Sequence, residues 1–143
     1  MDKKMFCFQC EQTVGCAGCT GNAGVCGKKA DTARLQDELT GALIGLARAV
    51  DSTTAISKRT GQIIIEGLFT TVTNVNFDDV SIENMIQKVR AEKERLVPDC
   101  SKCQSSCGKT DEYDMQQLWN ANEDIRSLKS LILFGIRGMS AYA

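Results

Sequence analysis

Apolar residues recur every three or four positions over much of the chain, a spacing that places them on one face of an α-helix. The pattern predicts a first helix over about residues 31–50, with Asp31 or Thr32 as its N-cap. Gly41 and Gly45 share one side of this helix. Glycine lowers helix propensity but lets another backbone come close, so we expect tight helix–helix packing there. The apolar face consists of Leu35, Leu39, Ala42, Leu43, Leu46 and Val50.

Three later segments also carry a helical pattern. Residues 61–75 mix strand-forming residues with apolar positions at helical spacing, and a helix is favoured. Ser81 is predicted to cap a helix that ends at Leu96, shortly before Pro98. A last helix is expected from Asn122 to the end of the sequence, because no glycine cap or proline stops it. It is marked by Ile125, Leu128, Ile132, Gly135 or Ile136, Met139 and Tyr142.

Two irregular, cysteine-bearing segments interrupt the helices. Residues 6–29 contain five cysteines and five glycines, a pattern too broken for a helix or a paired strand. Residues 99–110 form a second cysteine loop. Trp119, which follows this loop, is interpreted as a core residue between helices. The prediction is one all-α domain over residues 1–143, a helical bundle of about four helices with an irregular N-terminal cysteine-rich loop.

Composition and charge narrow the class of protein. Seventeen Lys+Arg and eighteen Asp+Glu give a formal net charge of -1 over 143 residues. No basic block indicates a nucleic-acid or membrane partner. The start lacks an export signal, and the longest apolar runs are too short to span a bilayer. We therefore expect a soluble, cytoplasmic protein.

Cysteine usage indicates the chemistry. The chain has eight cysteines and no histidine. In a reducing compartment such heavy use favours metal or cluster ligation, or redox chemistry, over structural disulfides. The lack of histidine excludes zinc sites that need histidine and catalytic Cys-His or Ser-His-Asp groups. Thiolate sulfur must therefore dominate any metal site.

The first cysteine loop allows two ligand sets. Cys7 and Cys10 lie on one turn, and adding Cys16 and Cys19 gives two pairs like zinc knuckles. Only five residues separate those pairs, whereas zinc ribbons and fingers commonly have roughly 12–20. Adding Cys19 and Cys26 instead gives C-x2-C-x8-C-x6-C, which suits a loop wrapped around an iron–sulfur cluster. Disulfides or inert thiols are the structural alternative, and Cys16 is left over as a thiol near the cluster.

The second cysteine loop is not assigned to a site. Its three thiolates would need a fourth ligand from Cys16, an acidic side chain such as Asp99 or Asp111, or solvent. Free thiols or a disulfide explain this loop at least as well as metal binding does. Its cysteines are Cys100, Cys103 and Cys107.

Several runs of the sequence resemble the amino-terminal signature of the hybrid cluster proteins, also called prismane proteins or hydroxylamine reductases. The likeness extends over essentially the whole chain. The runs that carry it are Met5-Phe-Cys7-Phe-Gln-Cys10-Glu-Gln-Thr, Gly18-Cys19-Thr, Gly24-Val-Cys26-Gly-Lys28, Leu35-Gln-Asp37, residues 68–77, residues 118–128 and residues 134–142.

The resemblance implies a site, a cofactor and a role. It implies that a proximal cluster is bound by Cys7, Cys10, Cys19 and Cys26, with [4Fe-4S] favoured over [2Fe-2S] by the C-x2-C-x8-C spacing. Family members are several times longer, and their hybrid iron–sulfur–oxygen cluster, which reduces hydroxylamine to ammonia and water, lies in later domains. The chain is then expected to be the electron-entry domain of such an oxidoreductase, inactive alone.

The partners implied are the remaining domains of the full-length enzyme and an electron donor protein. A small zinc-stabilised binding module without a redox role is the alternative reading of the cysteine loop.

Overall fold

The computed structural model of the chain describes residues 5–10, 17–51, 56–72, 76–97 and 111–143. These parts form helices and one isolated antiparallel bridge. The all-α prediction is confirmed, and a short helix that the sequence pattern did not reveal, α4, adds to the four expected. The helices are α1 (Ala30–Asp51), α2 (Lys58–Thr70), α3 (Asp79–Leu96), α4 (Met115–Trp119) and α5 (Glu123–Ser140).

Part of the predicted cysteine chemistry lies outside the described residues. The loop over residues 99–110, with Cys100, Cys103 and Cys107, falls outside the described residues, and so does Cys16. In the part of the chain that is described, none of the helices combines the length and apolar character that crossing a membrane requires.

The boundaries of all four expected helices differ from prediction. α1 begins at Ala30, so the predicted caps Asp31 and Thr32 lie in its first turn and that prediction is wrong; α2 runs over Lys58–Thr70 instead of residues 61–75. α3 is capped by Asp78, whose carboxylate accepts a hydrogen bond from the N–H of Val80 at 3.1 Å, and the predicted cap at Ser81 is wrong. Aspartate is as good an N-cap as serine, so the pattern could not separate them. α5 ends at Ser140, short of the end of the sequence, where the N–H of Ala141 turns to the carbonyl of Gly138.

The core is built around α1, which packs most extensively on α3 and also contacts α2. Its predicted apolar face is buried as expected, with Leu39 and Leu46 wholly inaccessible. Each buried aliphatic side chain contributes about 1.5–3 kcal/mol relative to an exposed one. This cluster therefore supplies most of the apolar stabilisation; from the other helices it includes Ile63, Ile82, Met85, Ile86 and Val89.

A buried carboxylate joins α2 to α3. Glu92 accepts hydrogen bonds from Thr60 and from Arg95, each at 2.6 Å, and Arg59 lies 3.2 Å away. The Arg95 hydrogen bonds, with Thr60 and Arg59, hold the pKa of Glu92 at about 2 although burial opposes this. A buried charge with these partners is satisfied, and it fixes how the two helices meet.

Gly41 allows a close backbone approach to α1, as predicted, but the neighbour is a non-helical segment and not the helix that was expected. A Cβ at this position would stand 2.3 Å from the carbonyl oxygen of Tyr113, and the N–H of Tyr113 donates to the carbonyl of Gly41 at 3.2 Å. The segment before α4 therefore packs directly against the backbone of α1.

Candidate functional site

Cys7 and Cys19 are paired through their backbones. The N–H of Cys7 donates to the carbonyl of Cys19 at 3.1 Å, and the N–H of Cys19 donates back at 2.7 Å. Both side chains are buried in an apolar cluster with Met5 and Ala33. Gly18 has a φ of +92°, a conformation that other residues rarely adopt, so glycine is needed just before Cys19.

Cys10 and Cys26 lie partly buried beside this pair. The charge of Cys10 contributes to raising the pKa of the Cys7 thiol. The Sγ of Cys26 and the Cε of Met5 both lie 3.4 Å from the point where a Cβ on Gly24 would stand. Because Met5 also packs on the buried pair, Cys26 borders the same cluster, and Cys10 is only three residues from Cys7 in the chain. None of the four is joined to another by a disulfide.

The four cysteines of this loop could hold either a single metal ion or an iron–sulfur cluster. Within the described ranges, no three Cys, Asp or Glu side chains converge as the ligands of one metal ion do. Thiolates that bind separate irons of one cluster lie farther apart than ligands of a single ion. Sulfur donors in an apolar, amide-lined loop are the surroundings that iron–sulfur clusters take. The residue types present therefore fit a cluster.

Two groups favour negative charge on Cys7. Burial raises the pKa of the Cys7 thiol, and a hydrogen bond from the backbone N–H of Gln9 lowers it. The Nζ of Lys28 lies 3.9 Å from the Cys7 Sγ and also favours the thiolate. The amide and the cation are placed where a bound, electron-rich sulfur would need them.

Lys28 belongs to a buried polar chain. Only 1% of it is exposed, and its Nζ donates to the Oε1 of Gln9 at 2.7 Å. The Nε2 of Gln9 donates to the Oδ1 of Asp37 at 2.6 Å and to the carbonyl of Ala33 at 3.2 Å. Burial raises the pKa of Asp37 to about 6, although the Gln9 hydrogen bond opposes it. Gln9 thus connects the lysine beside Cys7 to a carboxyl on α1.

The hydrogen-bonded series of Lys28, Gln9 and Asp37 reaches solvent at Asp37. A groove of about 500 Å³ lies between α1 and the start of α4, and Asp37 lines it together with Phe6. Three further carboxylates line the same groove, those of Glu38, Glu112 and Asp114. Arg34 also lines the groove, and Arg90 pairs with both Glu38 and Glu112, so the groove carries both signs of charge. The cysteine region therefore communicates with this groove through hydrogen-bonded side chains.

Arg137 ties α5 to the rest of the bundle. Its Nε donates to the Oγ1 of Thr71 at 3.1 Å and its Nη2 to the Oγ1 of Thr40 at 2.9 Å. Desolvation lowers the pKa of this buried guanidinium, and the charge of Asp37 opposes that shift. The arginine thus faces the core, on the same side of α1 as the polar chain.

Aromatic rings cover the first cysteine loop. Trp119 packs on Phe6, with ring centroids 5.2 Å apart, and on Phe8 at 4.9 Å. The guanidinium of Arg126 lies 4.6 Å from the Trp119 ring on the other side. Trp119 is half-buried, so it shields the residues that flank Cys7 instead of filling a core between helices as predicted.

Sequence reasoning missed the polar residues of this site. Gln9, Lys28 and Asp37 all lie in runs that carried the family resemblance, which is the one available signal. Nothing in a sequence indicates that a lysine is buried, because burial depends on which elements meet around it.

Comparisons with known proteins identify the family of the chain. A model of the Prismane/CO dehydrogenase family matches residues 5–143. A hydroxylamine reductase of Clostridium perfringens is 37% identical over 159 aligned residues, covering 96% of this chain and 29% of that protein. One from Porphyromonas gingivalis is 38% identical, covering all of this chain and 29% of its own length. A third, from Methanococcus vannielii, is 37% identical, and the alignment covers 28% of its length. The chain spans less than a third of the length of these relatives. It belongs to the prismane/CO dehydrogenase family.

Proposed function

We propose that this chain is the iron–sulfur electron-relay domain of a hydroxylamine reductase. Cys7, Cys10, Cys19 and Cys26 would bind the cluster, of the [4Fe-4S] type, and a hybrid cluster held outside this chain would reduce hydroxylamine to ammonia and water. The observation that carries the proposal is the backbone pairing of Cys7 with Cys19, which brings the two halves of the cysteine loop together.

The charges around Cys7 support a redox role. A cluster exchanges single electrons, and its potential depends on hydrogen bonds to sulfur and on nearby charge. In this chain the N–H of Gln9 points at the Cys7 sulfur, and the buried cation of Lys28 lies 3.9 Å from it. Both favour a bound group that gains negative charge on reduction.

The surroundings also suit electron transfer without exposure to bulk water. Phe6, Phe8 and Trp119 cover one side of the loop, and Met5 lies against the buried cysteines. Electrons can pass through such a cover, whereas water and oxidants are kept away from the buried sulfurs of Cys7 and Cys19. The likeness to relatives named hydroxylamine reductases supports the reaction of the longer protein.

Substitution of single cysteines tests the ligand set. Cys19→Ser and Cys26→Ser should abolish iron and sulfide binding, and Cys16→Ser should leave both largely intact. Iron and sulfide analysis of the anaerobically purified variants gives the answer. Loss of the cluster in Cys16→Ser alone would mean that the ligand set is wrong.

An electron count tests the relay role. The loaded chain is reduced with dithionite, freed of reductant and mixed with an oxidised one-electron dye. About one equivalent of dye should be reduced per chain, as expected for a single cluster. Hydroxylamine should yield no ammonia with this chain alone. A loaded chain that cannot pass its electron to any dye would contradict the relay role while leaving cluster binding intact.

A further inference from the structure

α5 turns its apolar residues away from the bundle. More than half of the exposed large apolar side chains in the described part of the molecule lie between residues 125 and 142. Leu131, Ile132 and Met139 are exposed by 68%, 62% and 71%. We call the following set the apolar face of α5: Ile125, Leu128, Leu131, Ile132, Ile136 and Met139.

The opposite side of α5 faces the bundle and is largely polar. Arg137 and Ser140 are buried there. Arg126 and Ser130, about three and two turns before Arg137, are half-buried, as is Leu133. The hydrogen bonds of Arg137 to Thr40 and Thr71 hold this side in place. The helix therefore cannot roll its apolar face inward without leaving a buried guanidinium unpaired, which is costly.

Beyond the first turn of α5, which carries Glu123 and Asp124, the apolar face is also free of charge. The charged residues of α5 beyond its first turn are Arg126, Lys129 and Arg137. The cations of Arg126 and Lys129 lie over the rings of Trp119 and Tyr113, so all three point toward the body of the molecule. What remains on the outer side is a continuous hydrocarbon surface, which marks an interaction site on a water-soluble protein.

Two glycines give this face room for a close neighbour. A Cβ added at Gly135 or Gly138 would meet nothing within 4 Å. Glycine within a helix lowers its stability, so two of them at open positions need a reason. A partner helix that approaches the α5 backbone closely supplies that reason.

The length of the relatives indicates the occupant. These alignments cover 96% to 100% of this chain but only 28% to 29% of each relative. The rest of such a protein must pack on this domain somewhere, and permanent interfaces are more apolar than transient ones. We propose that the apolar face of α5 binds an uncharged helical surface of the longer family polypeptide, contributed by the part outside the aligned segment.

This interface is independent of cluster binding, so either proposal can fail without the other. Its test uses a chimera in which this chain replaces the aligned segment of the Clostridium perfringens relative. Leu131→Glu should lower the yield of soluble chimera at least tenfold and leave the yield of the 143-residue chain unchanged or higher. Val80→Glu, at a residue exposed by 64% on α3, should affect neither protein.

Side-chain labelling gives a second readout. Carbene footprinting of the α5 peptide should fall several-fold in the chimera relative to the chain alone, whereas labelling of the α3 peptide around Val80 stays the same. If the chimera does not fold, the chain and the remainder of the relative are co-expressed as two polypeptides, and failure to co-purify contradicts the proposal.

Two other results would overturn it. Equal labelling of α5 in both proteins would mean that the face stays exposed in the longer protein. A chain that sediments as a dimer and becomes monomeric on Leu131→Glu would mean that the occupant is a second copy.

Discussion

Replacement of Gly41 by alanine is expected to destabilise the fold by about 2 kcal/mol. The added Cβ would stand 2.3 Å from the carbonyl oxygen of Tyr113, whereas ordinary van der Waals contact lies at 3.4–4 Å. The obstacle is backbone and cannot rotate away as a side chain can. The segment before α4 would have to move off α1.

The magnitude follows from three contributions. Overpacking costs about 1–3 kcal/mol. Displacement of Tyr113 also breaks its 3.2 Å hydrogen bond to the Gly41 carbonyl, which contributes about 0.5–1.5 kcal/mol. Alanine is the better helix former by about 1 kcal/mol, which opposes the other two. The balance is a loss of about 2 kcal/mol.

Urea unfolding followed by circular dichroism measures this loss. Gly135→Ala is the matched control, because its Cβ meets nothing within 4 Å, and it should gain up to about 1 kcal/mol. Gly67→Ala should fall between them, since its Cβ meets the movable side chain of Leu43 at 2.7 Å. If Gly41→Ala is as stable as Gly135→Ala, the close packing of the segment before α4 on α1 is wrong, and so is the position of Trp119.

Three further predictions concern charged groups. Burial raises the pKa of Asp37 from 3.8 to about 6, so folded-state stability falls as pH rises from about 4 to about 6, and Asp37→Asn should remove that decline in urea unfolding. The pKa of Glu92 is lowered from 4.5 to about 2 by its arginine hydrogen bonds. Its stabilisation is therefore complete above about 4.5 and is lost toward pH 2, a loss that Glu92→Gln should abolish. Lys28→Met removes the cation beside Cys7 and should lower the reduction potential of the bound cluster in a redox titration, whereas Lys29→Met, at an exposed neighbour, should not.

Each of these has an outcome that contradicts its reasoning. An unchanged decline between pH 4 and 6 in Asp37→Asn would assign it to another group. Acid unfolding of Glu92→Gln that follows the wild type would show that this ion pair does not control acid stability. Equal potentials for the two lysine variants would remove Lys28 from the cluster's surroundings.

Most of the helical fold could be predicted from the spacing of apolar residues. α1 is the clearest case, because its apolar face is long and meets two other helices. α4 was missed because five residues are too few to show a helical period. The side of α5 that faces the bundle could not be predicted, since a stripe such as Leu128, Ile132 and Met139 is normally buried. Here the buried residues of α5 are Arg137 and Ser140 instead.

The candidate site was predictable only in part. Cysteine spacing led to Cys7, Cys10, Cys19 and Cys26, and the structure brings Cys7, Cys19 and Cys26 to one apolar cluster, but what the four bind stays a prediction. The buried link from Lys28 to Asp37 depends on the meeting of the cysteine loop with α1, which no local pattern encodes.

The most direct test of the account is the metal content of the anaerobically purified chain, with its visible spectrum before and after dithionite. The account predicts about four irons and four sulfides per chain and an absorption that bleaches on reduction. One zinc per chain with no iron would contradict it and make the cysteine loop a structural zinc site.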